Sequence, residues 1–221
     1  MKHLKTFAAV CCVAAVFAAC EKNDVEPTAG DANGHDYIDL GLSVKWATCN
    51  IGATTPEGYG HYYAWGETEP KDNYYWNTYK WCDGTQTTLT KYCSDNSYGN
   101  LGFTDKKIVL DLADDAANAN WGGSWRMPTD AEWTELRDSC TWTWTTLNGV
   151  KGYEVTSKTN GNSIFLPAAG FYGYETLVNP HSKCYYWSSS LNTEYPSHAW
   201  LGFDNTYYCR YYGLSIRAVM K

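Results

Sequence analysis

Basic residues are scarce in this chain: 17 Lys and Arg stand against 24 Asp and Glu among 221 residues, a net charge of −7. With no cationic stripe to neutralise phosphates, nucleic acid is excluded as a partner. Leu, Ile, Met and Val are thin on the ground, so a coiled coil or helical bundle is excluded as well. Internal repeats are absent, and so are the G-x-S-x-G, H-E-x-x-H and G-x-x-x-x-G-K-[ST] patterns of common hydrolases and phosphate binders. There is no C-x-x-C pair, and His35, His61, His181 and His198 are scattered, so neither a structural zinc site nor any other metal or cofactor is expected. Asp111, Asp114 and Asp115 lack the spacing of a calcium loop and are read as charge at a helix N-terminus. What the chain has instead is aromatic side chains, with 11 Trp, 19 Tyr and 6 Phe, and 19 Gly. That composition describes a sheet-rich globular domain large enough to bury a sizeable core.

The only long apolar run opens the chain. Lys2 and Lys5 precede Phe7 to Ala19, a stretch too short for a permanent membrane helix and typical of an export signal. Phe17-Ala18-Ala19-Cys20 resembles a lipobox, so residues 1–19 are read as a lipoprotein signal peptide and Cys20 as the lipidated first residue of the mature chain. The alternative is an ordinary signal cut near Ala19. Residues 20–34 are polar and Gly-containing, and are read as a tether that holds the domain off the membrane. Its acidic start, Glu21, Asp24 and Glu26, is similar to the surface-export signals of Bacteroidales-type lipoproteins. These features together place the chain on the outer membrane, lipid-anchored and at the cell surface.

Residues 35–221 read as one α+β domain. Tyr37–Leu40 and Val44–Ala47 form strands around Gly41. Gly152–Thr156 and Ser163–Leu166 form a hairpin around Asn160-Gly161, and Leu214–Val219 is the last strand. One helix is expected from Asp111 to Asn120, stopping at Gly122-Gly123. A second starts at Thr129, which makes a capping box with Glu132 and buries Trp133, Leu136 and Cys140 on one face. Trp142 and Trp144 share a strand face and are expected to pack on the sheet, and Trp46, Trp65, Trp76, Trp121 and Trp125 are expected in the core. Of the six cysteines beyond the signal, Cys82 and Cys93 are the pair whose spacing suggests a disulfide.

The richest segment is Cys184–Tyr212, whose 29 residues hold seven Tyr, two Trp and one Phe, with Arg210 as its only cation. Tyr presents a large, stiff surface with a polar tip, the composition of adaptable binding faces. On a strand, Tyr207-Tyr208 cannot both face inward, nor can Tyr211-Tyr212. The residues expected to bind ligand are Tyr185, Tyr195, Ser197, His198, Trp200, Asp204, Tyr207, Tyr208, Tyr211 and Tyr212. The other reading has these rings covering the edge of a small core.

Several motifs carry a family resemblance. Tyr37–Leu42, Trp46–Gly52, Tyr63–Thr68, Trp125–Thr129, Glu132-Trp133, Leu166–Gly170, Tyr186–Ser189 and Ser215–Arg217 run in order through the mature chain. Together they resemble the Fibrobacter succinogenes major paralogous domain found in exported Bacteroidales proteins. The resemblance implies a C-type-lectin-like fold of the formylglycine-generating-enzyme subtype, with short helices flanking small twisted antiparallel sheets and a C-terminal ligand face. The wider group includes variable proteins of diversity-generating retroelements, in which adenine-directed mutagenesis rewrites exposed positions. The Tyr, Ser, His and Asp residues of Cys184–Tyr212 suit that mechanism. The implied function is binding of a protein or glycan ligand on another cell, a phage or a host surface. The second reading is a fixed adhesin or structural envelope component. No catalytic residue is implied: Cys184 and Cys209 lie too far apart for the family's copper-holding cysteine pair. The calcium-lectin tripeptides are also missing, Glu194-Tyr195-Pro196-Ser197 being the nearest approach.

Overall fold

A computed structural model describes residues 29–202 and 206–221. The expectations for residues 1–19, for Cys20 and for Asp204 lie outside the described residues. The chain opens with strands β1 (Ala29–Ala32), β2 (His35–Ile38) and β3 (Lys45–Asn50), then winds through turns to helices α1 (Ala116–Trp121) and α2 (Asp130–Ser139). Strands β4 (Cys140–Leu147), β5 (Val150–Ser157), β6 (Ser163–Pro167), β7 (Phe171–Gly173) and β8 (Thr176–Val178) follow. The chain ends in β9 (Trp187–Leu191), β10 (His198–Leu201), β11 (Tyr207–Cys209), β12 (Gly213–Leu214) and β13 (Arg217–Met220). The result is a sheet-rich α+β arrangement of four small antiparallel sheets, ordered β1-β2-β3-β13, β4-β5-β6, β12-β7-β8 and β11-β10-β9.

Turn chemistry sets several of these pairings. Asn148 and Gly149, at φ 49° and 85°, make the two-residue loop between β4 and β5, which pair without slippage from Leu147↔Val150 to Cys140↔Ser157. Positive φ at both loop positions matches the twist of the strands, which is why Asn-Gly is favoured there. The expected β5–β6 hairpin is present, with Val155 opposite Ile164, but its loop is longer and only Gly161 of the Asn-Gly step has positive φ. A third Asn-Gly turn, Asn33-Gly34, folds β1 back on β2. The sheet therefore takes in residues 29–34, which the sequence reading gave to the tether. The Trp125 indole secures that edge by donating to Ala32 O at 2.8 Å.

Helix α2 starts as expected: Thr129 and Glu132 form a reciprocal capping box, and Trp133, Leu136 and Cys140 are buried. The helix expected from Asp111 is shorter. The Tyr92 hydroxyl accepts the Asp111 N–H, Leu112–Asp114 form a single 3-10 turn, and the α-helix begins only after Asp115, whose carboxylate accepts from Ala117 and Asn118. The last strand divides at Ser215-Ile216, where Ser215 bridges to Tyr186 instead. Trp46, Trp65, Trp121 and Trp125 are in the core, while Trp76 is only half-buried. Trp142 packs on the core and Trp144 on Tyr153 of the neighbouring strand at 4.9 Å, as expected, although Trp144 keeps 42% of its surface exposed.

Two arginines are fully buried. The Arg217 guanidinium donates to Asn50 Oδ1 (2.9 Å), Ala47 O (3.0 Å), Thr48 O (2.7 Å) and Phe165 O (2.9 Å), tying β13 to β3 and β6. Arg210 donates to Tyr92 O and Lys91 O and lies 5.3 Å from the ring centres of Trp65 and Tyr79. Carbonyl dipoles and ring faces, rather than carboxylates, compensate both charges.

All six cysteines of the described residues are free thiols. The expected Cys82–Cys93 disulfide is not formed. The Cys82 thiol donates to Trp76 O and the buried Cys93 thiol to Asp95 O, each at 3.0 Å, so each thiol already has a backbone partner.

Candidate ligand-binding face

Strands β9, β10 and β11 form the sheet that carries the aromatic C-terminal segment. Across β10 and β11, His198 faces Cys209, Ala199 faces Tyr208 and Trp200 faces Tyr207. Side chains alternate along a strand, so this register sorts the segment into two rows. Ala199, Leu201 and Tyr208 point to the core, His198, Trp200 and Tyr207 lie on the opposite face, and Cys209 on that face is half-buried against the Tyr74, Tyr79 and Tyr211 cluster. Gly202, which follows β10, lies against α2, where a Cβ would fall 2.0 Å from the Trp133 ring. Only glycine permits that approach, and it fixes the sheet on the helix.

Tyr207 is the hub of the outer row. Its ring stacks on Tyr195 at 5.3 Å and 25°, and meets His198 (5.3 Å, 80°) and Trp200 (5.8 Å, 85°) edge-on. Tyr195 and Tyr207 keep 43% and 39% of their surface exposed, so the stack is open to solvent. The turn presenting Tyr195 is built by buried Asn192, whose Oδ1 accepts from the backbone N–H groups of Glu194 (2.9 Å) and Tyr195 (3.0 Å). This side-chain mimic of a turn holds the loop without a regular element.

Beside the stack, His198 is fixed from both sides. Its Nδ1 lies 3.0 Å from Ser197 Oγ and its Nε2 lies 3.3 Å from Cys209 Sγ. Burial lowers the imidazole pKa, with the Arg210 charge adding to the effect, and burial pushes the Cys209 thiol up to about 11. Both groups are therefore neutral at pH 7, and the pair is not the thiolate–imidazolium couple of an activated nucleophile. With Arg210 buried beneath, the rings of Tyr195, His198, Trp200 and Tyr207 carry no charge, beside the exposed Glu194 of the turn.

Not all the expected binding residues reach this face. Tyr195, His198, Trp200 and Tyr207 are brought together on it. Tyr185, Ser197 and Tyr211 are buried, contrary to expectation. Tyr185 packs on Phe171 at 5.0 Å and Tyr208 at 5.3 Å, and Tyr211 packs between Trp76 at 4.9 Å and Tyr212 at 4.5 Å. Ser197 sits behind His198 and orients it. Tyr208 and Tyr212 are half-buried on the inner side, 5.2 Å from Phe171 in each case. The other reading, rings covering the edge of the core, thus describes Tyr185, Tyr208, Tyr211 and Tyr212. Sequence reasoning missed Asn192 and the His198–Cys209 contact, which the β10–β11 register creates by setting the two residues opposite each other.

Among the described residues no group of three or more His, Cys, Asp or Glu side chains could hold a metal ion. None of their helices is long and apolar enough to cross a membrane. No family model, curated protein or solved structure matches the chain.

Proposed function

We propose that this chain is a lipoprotein anchored to the outer membrane through Cys20, whose C-type-lectin-like domain binds a protein or glycan ligand on another cell, a phage or a host surface. The observation that carries the reading is the exposed, uncharged stack of Tyr195 and Tyr207, flanked by His198 and Trp200 on one sheet face. Rigid aromatic rings gathered at one place lose little entropy on binding and supply most of an interface's energy. Short helices beside small antiparallel sheets accord with the lectin-like fold. Retroelement diversification belongs to the same proposal, and burial narrows it: Tyr195, His198, Trp200 and Tyr207 are the described positions at which a changed side chain would alter the surface without disturbing the core.

The test separates binding from packing. Replacing Tyr195 and Tyr207 together by Ala is expected to abolish binding in a screen of glycans and cell-surface proteins while leaving the melting temperature nearly unchanged. Replacing Tyr208 is expected to lower stability instead. If the double variant binds as the parent does, the face is wrong. For diversification, a near-copy of the coding segment for Phe171 to Lys221, differing only at adenines and lying beside a reverse transcriptase gene, is the expected finding at the locus. Without it the ligand is fixed.

A further inference from the structure

A second pocket lies apart from the Tyr195–Tyr207 stack and shares no residue with it. It is a cleft of about 390 Å³, against about 410 Å³ for the apolar groove beside β6, and it is lined by residues 60–62, 70–72, 74, 172 and 175. Its aromatic walls are built rather than incidental. Tyr172 on β7 stands at 81° to Tyr62, with ring centres 5.0 Å apart, and its other neighbour, Tyr74, lies nearly parallel to it at 27°. Tyr74 is seated on Gly213, where a Cβ would come within 2.5 Å of its ring. The hydroxyls of Tyr62 and Tyr74 are already committed, donating to Ala169 O and Tyr62 O at 2.6 Å each. Tyr74 is itself buried and backs the wall, so the ring surface open to a ligand is that of the half-buried Tyr62 and Tyr172.

The charges around these rings are unequal. Lys71 lines the cleft with its Nζ 5.6 Å from the Tyr74 ring centre, but it is held 2.8 Å from Glu67 and 2.9 Å from Thr78 O, so its charge is already matched. Asp72 and Glu175 are exposed, and among the described residues neither is in an ion pair. The pocket thus has aromatic walls and two uncompensated carboxylates at its rim. Ring faces carry negative potential and attract cations, and nearby carboxylates reinforce that attraction.

We infer that this pocket binds an organic ammonium group, held against Tyr62 and Tyr172 and paired with Asp72 and Glu175. Three sources share that chemistry: a choline headgroup, a lysine side chain of a protein and an amino sugar. Titrating the full chain with choline, with N-acetyl-lysine methylamide and with glucosamine, followed by NMR shifts, distinguishes among them by affinity. The uncharged isostere of choline, 3,3-dimethylbutan-1-ol, is the control.

At least one ammonium compound is expected to bind, to weaken with rising salt and to bind about tenfold more tightly than its uncharged counterpart. Tyr172→Ala is expected to weaken it about tenfold. Because that change could also loosen the ring cluster, the double variant Asp72→Asn, Glu175→Gln is the companion: it alters only exposed groups and is expected to remove most of the salt dependence. Equal binding of the neutral isostere, unchanged affinity in the double variant, or no shift with any ammonium compound overturns the inference. None of these outcomes bears on the Tyr195–Tyr207 face, whose double Ala variant is expected to keep this site intact.

Discussion

A buried side chain is worth what its partners would lose without it, and Arg217 is the clearest case. Four acceptors on β3 and β6 depend on one guanidinium. An orphaned buried acceptor costs about 1–3 kcal/mol, so Arg217→Ala is expected to destabilise by at least about 3 kcal/mol in urea unfolding. Arg217→Lys should recover little, because a single ammonium cannot span acceptors laid out for a planar fork. Asp115 makes a different prediction. Burial raises its pKa to about 6 against an ordinary value of 3.8, outweighing the backbone N–H groups of Met127, Asn118 and Ala117 that favour the charged form. A folded-state pKa above the unfolded one means the folded protein holds the extra proton between these values. Its contribution to stability is complete below about pH 4 and is lost as the pH rises through about 6, a change of roughly 3 kcal/mol. Asp115→Asn should flatten that part of the stability–pH curve, measured by urea unfolding at half-unit steps.

At the scale of elements, the turns decide register. Gly149 has φ 85° and open space where a Cβ would project. Gly149→Ala therefore meets no neighbour, and its cost is purely that of placing an L-residue in a left-handed conformation, about 1–2 kcal/mol. Thermal unfolding is expected to show that loss with the β4–β5 pairing retained. A larger loss would mean that the hairpin register had moved. The Tyr207-Tyr208 pair shows the same logic in a strand. Alternation alone requires the two rings to face opposite sides, but the pairing of Trp200 with Tyr207 decides which one meets solvent.

For the whole molecule, the six unpaired thiols of the described residues are open to a direct chemical check. Cys93, Cys140 and Cys184 are buried, and burial pushes the Cys184 thiol up to about 12. Alkylation of the native protein at pH 8 is expected to spare these three, and all six cysteines of residues 29–221 are expected to react after unfolding without reductant. A shortfall of two in that second count would reveal a disulfide, with Cys82 and Cys93 the first pair to examine by peptide mapping. The stability of the molecule then rests on its aromatic core and buried arginines rather than on cross-links.

Local signals in the sequence were enough for those parts of this protein that depend on local physics. The Thr129–Glu132 box started α2 where its side chains could reach its own first turn, Asn160-Gly161 marked the chain reversal between β5 and β6, and the density of rings between Cys184 and Tyr212 marked an unusual surface. The Asp111 helix and the Cys82–Cys93 pair went the other way, because Tyr92 and two backbone carbonyls, none of them visible as partners from spacing, took the groups concerned. The face itself was only half legible. Composition found Tyr195, His198, Trp200 and Tyr207 but could not separate them from Tyr185, Ser197 and Tyr211. Whether a ring is wall or surface depends on which strand lies beside it, and that pairing is a long-range choice made by the packed fold.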